Sequence, residues 1–128
     1  MPKRKLEQFH QENSTWLRTL DYMEQETVFM KNRLSKVVDL LHTNDILDWA
    51  EDYQNRILMK EEAIDLMKQD IHAQERRLAS EYLFEGNQLK AEIVKSQTQL
   101  RLQMDYMETD FYRMRKDFND YVVHRVMQ

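Results

Sequence analysis

Glu7-Gln8-Phe9-His10 sets a carboxylate and an imidazole three residues apart, on one face of a helix. Helical bundles hold paired metal ions with such Glu-x-x-His units, but they need one on each of two helices and a glutamate from each of two others. No second copy occurs, and His72-Ala73-Gln74-Glu75 runs in the reverse order. Folding the chain at its two breaks brings His10, His72 and Glu75 into one end region. Imidazole and carboxylate donors there suit zinc or another divalent ion. The plainer reading has histidines beside a helix seam bonding to their neighbours. That reading assigns no metal and no cofactor, and a metal-binding bundle stands as the alternative.

Other catalytic devices are missing from the sequence. With Gly86 as its single glycine, the chain has no glycine-rich phosphate loop and no Gly-x-Ser-x-Gly nucleophile turn. It has no cysteine, hence no thiol nucleophile, thiolate metal site or disulfide framework. Carboxylate pairs such as Glu24/Glu26, Glu61/Glu62 and Asp117/Asp120 read as solvated helix faces within reach of Lys or Arg. The expectation is a protein that is not an enzyme.

Charge narrows the partners. The net charge is -4 and the pI about 5.6, whereas nucleic acid and membrane surfaces call for a basic field, so neither is expected as a partner. The basic run Lys3-Arg4-Lys5 reads as a solvated terminus. No stretch approaches the ~20 apolar residues that span a bilayer. Leu6-Glu7-Gln8 follows the basic run where a secretory signal needs an apolar core. A cytoplasmic location is the expectation.

The elements that must position these residues are helices. The 128 residues contain one proline and one glycine, 33% charged side chains and 41% hydrophobic ones. Loops and strand ends need glycine and proline, whereas long amphipathic helices do not. Leu6, Phe9, Asn13, Trp16, Leu20, Met23, Thr27, Met30, Leu34, Val37 and Leu41 follow alternating steps of three and four. That rhythm places them along one seam of a helix over about 4–41. His42-Thr43-Asn44-Asp45 breaks the rhythm and supplies side chains that cap a new helix. A second seam runs from Ile46 to Tyr82, predicting a helix over about 45–84. Gly86-Asn87 is the second break, and a third helix is predicted over about 88–126. Short turns favour antiparallel neighbours. The fold expected is therefore all-α: one domain over 1–128, an up-down-up antiparallel bundle of three long, coiled-coil-like helices. An open hairpin paired with a second copy satisfies the same periodicity.

Polar residues on the seam are the informative exceptions, because burying them is costly unless they are paired. Folding at the two breaks brings Asn13, Gln74 and Ser96 to one level. It brings Thr27, Lys60 and Asp110 to another, where Lys60 and Asp110 suit an ion pair. Both layers read as register pins rather than as ligand pockets. Off the seam, Tyr22, Val28 and Phe29 fall on the outer face of the first helix. Leu102, Tyr106, Tyr112, Val123, Val126 and Met127 are extra apolar residues on the third. Clustered apolar residues of this kind suggest a partner surface. The expectation is a scaffold or adaptor that self-associates or binds a helical protein through Tyr22, Val28, Phe29, Tyr106, Tyr112, Val123 and Met127.

Phe9-His10-Gln11-Glu12-Asn13 with Trp16-Leu17, Leu20-Asp21-Tyr22, Phe29 and Arg33-Leu34 resembles small uncharacterised helical proteins of the Bacteroidetes group. Asp52-Tyr53-Gln54-Asn55-Arg56, Lys60-Glu61 and Asp70-Ile71-His72 add to the likeness over the first two helices. The resemblance implies a helical bundle and carries over no active-site residue.

Overall fold

The computed structural model of the chain describes residues 2–82 and 90–126. It contains three helices, α1 (Pro2–Leu40), α2 (Asn44–Tyr82) and α3 (Ala91–Val126), and no strand among the described residues. Pro2 opens α1, where its missing N–H is harmless and its fixed φ suits the first turn. Of Thr43, Asn44 and Asp45, all with side chains able to cap α2, the chain uses Thr43. Its Oγ1 accepts from Ile46 N at 3.3 Å and its carbonyl from Leu47 N at 3.0 Å. Asp45 then sits in the first turn, where a negative charge complements the helix dipole. α3 begins at Ala91 rather than about 88. Lys90 precedes it, and its carbonyl accepts from Ile93 N and Val94 N. The break read at Gly86-Asn87 lies outside the described residues.

The partners of each cross-helix pair fix the topology. His10 meets Glu75, Lys68 meets Asp21 and Glu24, and Lys31 meets Glu61, so α2 descends as α1 rises. Lys90 with Glu81, Lys60 with Asp110 and Arg125 with Asp45 show that α3 runs antiparallel to α2. α1 and α3 are consequently parallel, joined by Arg101 to Glu12, Arg115 to Glu26 and Arg33 to Asn119. The fold is an up-down-up bundle. No helix among the described residues is long and apolar enough to cross a membrane.

Burial follows the seams. On α1 the buried positions are Leu6, Phe9, Asn13, Trp16, Leu20, Met23, Thr27, Met30, Leu34 and Val37, an unbroken alternation of three and four. Helices of this polarity gain little stability alone, so packing of the stripes is what holds them. The apolar core has two parts. The larger runs from Trp16 and Ile71 to the far end of the bundle, and the smaller comprises Leu6, Phe9, Leu78 and Ile93. At the far end Trp49 stacks on Tyr121 at 4.2 Å and lies 5.5 Å from Phe118 and 5.4 Å from Tyr53. Aromatic pairs at such spacing add roughly 0.5–1.5 kcal/mol each beyond the area they bury.

The cap makes the first prediction. Thr43→Ala is expected to lower unfolding free energy by about 1 kcal/mol in urea titration, and Asn44→Ala to leave it nearly unchanged.

Candidate functional site

The boundary between the two apolar clusters is a layer of amides. Asn13 of α1, Gln74 of α2 and Gln97 of α3 are each fully buried, at 0% exposure. Gln74 Nε2 donates to Gln97 Oε1 at 3.1 Å and to the Ile93 carbonyl at 3.0 Å. Gln97 Nε2 donates in turn to Asn13 Oδ1 at 2.8 Å and to Glu12 Oε1 at 2.9 Å. Arginines close both ends of this chain. Arg77 Nη1 donates to Gln74 Oε1 at 3.1 Å. Arg101 forks onto Glu12, Nε to Oε2 at 2.7 Å and Nη2 to Oε1 at 2.8 Å. Asn13 Nδ2 is buried and has no hydrogen-bond partner among the described residues. Such an orphan donor is costly and makes the layer sensitive to any change of partner.

Glu12 ties the layer to the surface. Burial works against its charge, but hydrogen bonds from Arg101 and Gln97 outweigh that and hold the carboxyl below its ordinary value of 4.5. Arg101 is shifted upward, chiefly by its bond to Glu12.

Ser96 is corrected as the third member of this layer, because Gln97 occupies that position. Both residues fit a step of three or four from Ile93 and Leu100, so periodicity alone does not separate them. The bundle turns Gln97 inward, and Ser96 is left half-buried. Ser96 lines a small hollow of about 220 Å³ between α2 and α3 with Asp70, Arg77, Gln99 and Gln103. A serine hydroxyl also lacks the reach by which Gln97 spans from Gln74 to Asn13.

The second layer is assembled differently from its sequence reading. Lys60 and Asp110 form an ion pair, each side chain less than a third exposed. Burial, and then the neighbouring Arg56, draw the Lys60 ammonium below its ordinary value. Thr27 is fully buried but does not join the pair, because its Oγ1 donates to the Glu24 carbonyl at 2.6 Å within α1. A hydroxyl that closes its bond on its own helix needs no partner across the core.

His10, His72 and Glu75 line one groove between α1 and α2, of about 790 Å³, together with Leu6, Leu17 and Leu78. His10 Nδ1 lies 2.8 Å from Glu75 Oε1, a hydrogen bond between the helices. His72 sits exposed one turn along α2 from Glu75. The alternative of a metal site on these three residues gains no support: among the described residues no group of three or more His, Cys, Asp or Glu is placed to hold a metal.

The outward apolar residues divide into groups. Tyr22, Val28 and Phe29 are exposed on α1, and Tyr106, Tyr112 and Val123 on α3. Met127 lies outside the described residues. Tyr22 and Tyr112 face each other across the α1/α3 seam with Arg115 between them. Arg115 Nη1 donates to Tyr22 Oη at 2.9 Å, and its guanidinium lies 5.0 Å from the centre of the Tyr112 ring. Sequence reasoning passed over Met59 and Leu66 on the outer side of α2, which are well exposed. Their spacing of seven residues was the available signal.

Two outcomes follow from the layer. Gln97→Leu leaves Asn13 with no partner for either amide atom and is expected to cost about 2–3 kcal/mol in chemical denaturation, against a negligible change for Ser96→Ala. Leucine at 13, 74 and 97 together is expected to restore or raise stability, because no polar group then remains unpaired. The depressed Glu12 carboxyl stabilises the fold fully above its ordinary value and loses that contribution as pH falls through its folded value. Unfolding free energy measured from neutral to acid pH is therefore expected to fall less steeply in Glu12→Gln than in the wild type.

Comparison of the chain with protein-family models, with curated proteins and with solved structures gives no match in any of the three.

Proposed function

We propose that this chain is a non-enzymatic helical scaffold or adaptor, acting by contact with a second copy or with a helical protein through the outward faces of α1 and α3. The observation that carries this reading is the Tyr22–Arg115–Tyr112 arrangement. Two tyrosines from different helices are held in place by one arginine, with Phe29, 64% exposed, two turns beyond Tyr22 on α1. Tyrosine and arginine are enriched at the energetic centres of protein interfaces. Side chains already fixed by bonds within the monomer lose less freedom when a partner covers them. The same residues have no structural duty in the core, since the seam is complete without them.

The test compares wild type with Tyr22→Glu/Phe29→Glu by sedimentation from micromolar to hundreds of micromolar protein. The wild type is expected to exceed its 15.8 kDa monomer mass as concentration rises. The double variant, with unchanged helicity and unfolding midpoint, is expected to shift back towards monomer. Identical sedimentation of the two proteins would sink the assignment of this face.

A further inference from the structure

We infer that the outward face of α3 is built to pack against the same face of a second copy, antiparallel, about a two-fold axis passing beside Thr109. This rests on the scaffold reading and narrows it to one surface and one partner. Leu102, Asp105, Tyr106, Thr109, Tyr112, Arg113 and Lys116 are all exposed. At 100° per residue they fill a stripe of about 120° whose midline runs through Thr109. With Val123 the stripe extends for ~30 Å of helix.

The order of residues along the stripe selects the partner. On the α1 side Asp105 lies one turn before Thr109, and Tyr112 and Lys116 lie one and two turns after it. On the α2 side Leu102 and Tyr106 precede Thr109 and Arg113 follows. An antiparallel two-fold keeps each side facing its own kind and reverses the order. Asp105 then meets Tyr112 and Lys116 of the second copy, and Tyr106 meets Arg113 of the second copy, ring against guanidinium. Each of these contacts forms twice, as a closed two-fold interface requires. Parallel pairing would instead exchange the two sides at equal height, setting Asp105 against Leu102 and Tyr106 of the second copy with no base to meet it, and Arg113 against Lys116, which like charges oppose. Asp105 and Arg113 take part in no ion pair among the described residues, so both are free to make these contacts. Lys116 bonds Asp120 on its own helix, but in a solvated pair that costs little to rearrange. Tyr106 is 72% exposed, the largest apolar area on the stripe to gain from being covered.

The absence of cysteine makes the test direct. Thr109→Cys places one thiol beside the two-fold axis, opposite its own copy. Mild oxidation of the full chain is expected to give a disulfide dimer in high yield. Met59→Cys, on the outer side of α2, is expected to give only the low yield of random collision. Asp105→Lys is expected to weaken dimerisation about tenfold by sedimentation, and adding Lys116→Asp to restore most of it. A chain that self-associates while Thr109→Cys cross-links no better than Met59→Cys overturns the α3 pairing and leaves self-association through the Tyr22–Phe29 edge intact. A chain that stays monomeric at every concentration overturns the pairing too, and leaves the scaffold reading only a helical protein as partner.

Discussion

The buried amide chain from Arg77 through Gln74 and Gln97 to Glu12 and Arg101 is the constraint on which the rest of the bundle depends. An apolar three-helix seam with a regular three-four rhythm is degenerate. Sliding one helix by seven residues restores the rhythm and buries a similar area. In this protein a slide would pull Gln97 away from both Gln74 and Asn13, leaving their polar atoms in a dry core. Each such atom costs about 1–3 kcal/mol, a large fraction of the stability of a small domain. The layer thus adds little to stability and a great deal to uniqueness. It also divides the core into two apolar clusters, so that none of the three stripes runs uninterrupted along the bundle.

What was legible in the sequence was whatever repeats locally. The helices, the break at Thr43 and the inward positions of α1 follow from side-chain spacing and capping chemistry, which act within a few residues. The amide layer was legible in outline, since Asn13 and Gln74 are polar residues at positions the rhythm places inside. Its third member was not, because Ser96 and Gln97 both satisfy the spacing and only the rotation of α3 against its neighbours separates them. Thr27 shows the opposite limit. Position alone assigned it to a shared layer, yet its hydroxyl closes a bond within its own turn, as threonines in helices commonly do.

The histidines illustrate how weak spacing is as a guide to chemistry. His10, His72 and Glu75 do line one groove, as folding at the breaks implies. Proximity alone does not make a metal centre, which needs donors aimed at one point with second partners that orient them. Here the His10 ring bonds the Glu75 carboxylate, so two of the three donors are engaged with each other. The groove is a seam between helices bridged by one polar contact.

The core and the surface are connected through register. Tyr22 is on α1, and Arg115 and Tyr112 are on α3, a helix that also meets α1 at its edge through polar pairs such as Arg115 with Glu26 and Arg33 with Asn119. Polar pairs at the edge of the bundle are individually worth little and by themselves would tolerate a shifted α3. A seven-residue slide moves Arg115 by ~10 Å along the axis, enough to separate it from the Tyr22 hydroxyl. The buried amides forbid that slide. Placing Gln97 beside Asn13 therefore also places Arg115 beside Tyr22, although the two sites lie several turns apart. The polar residues that looked like interruptions of the seam set the relative height of α1 and α3. Their outward aromatic residues form one surface only at that height.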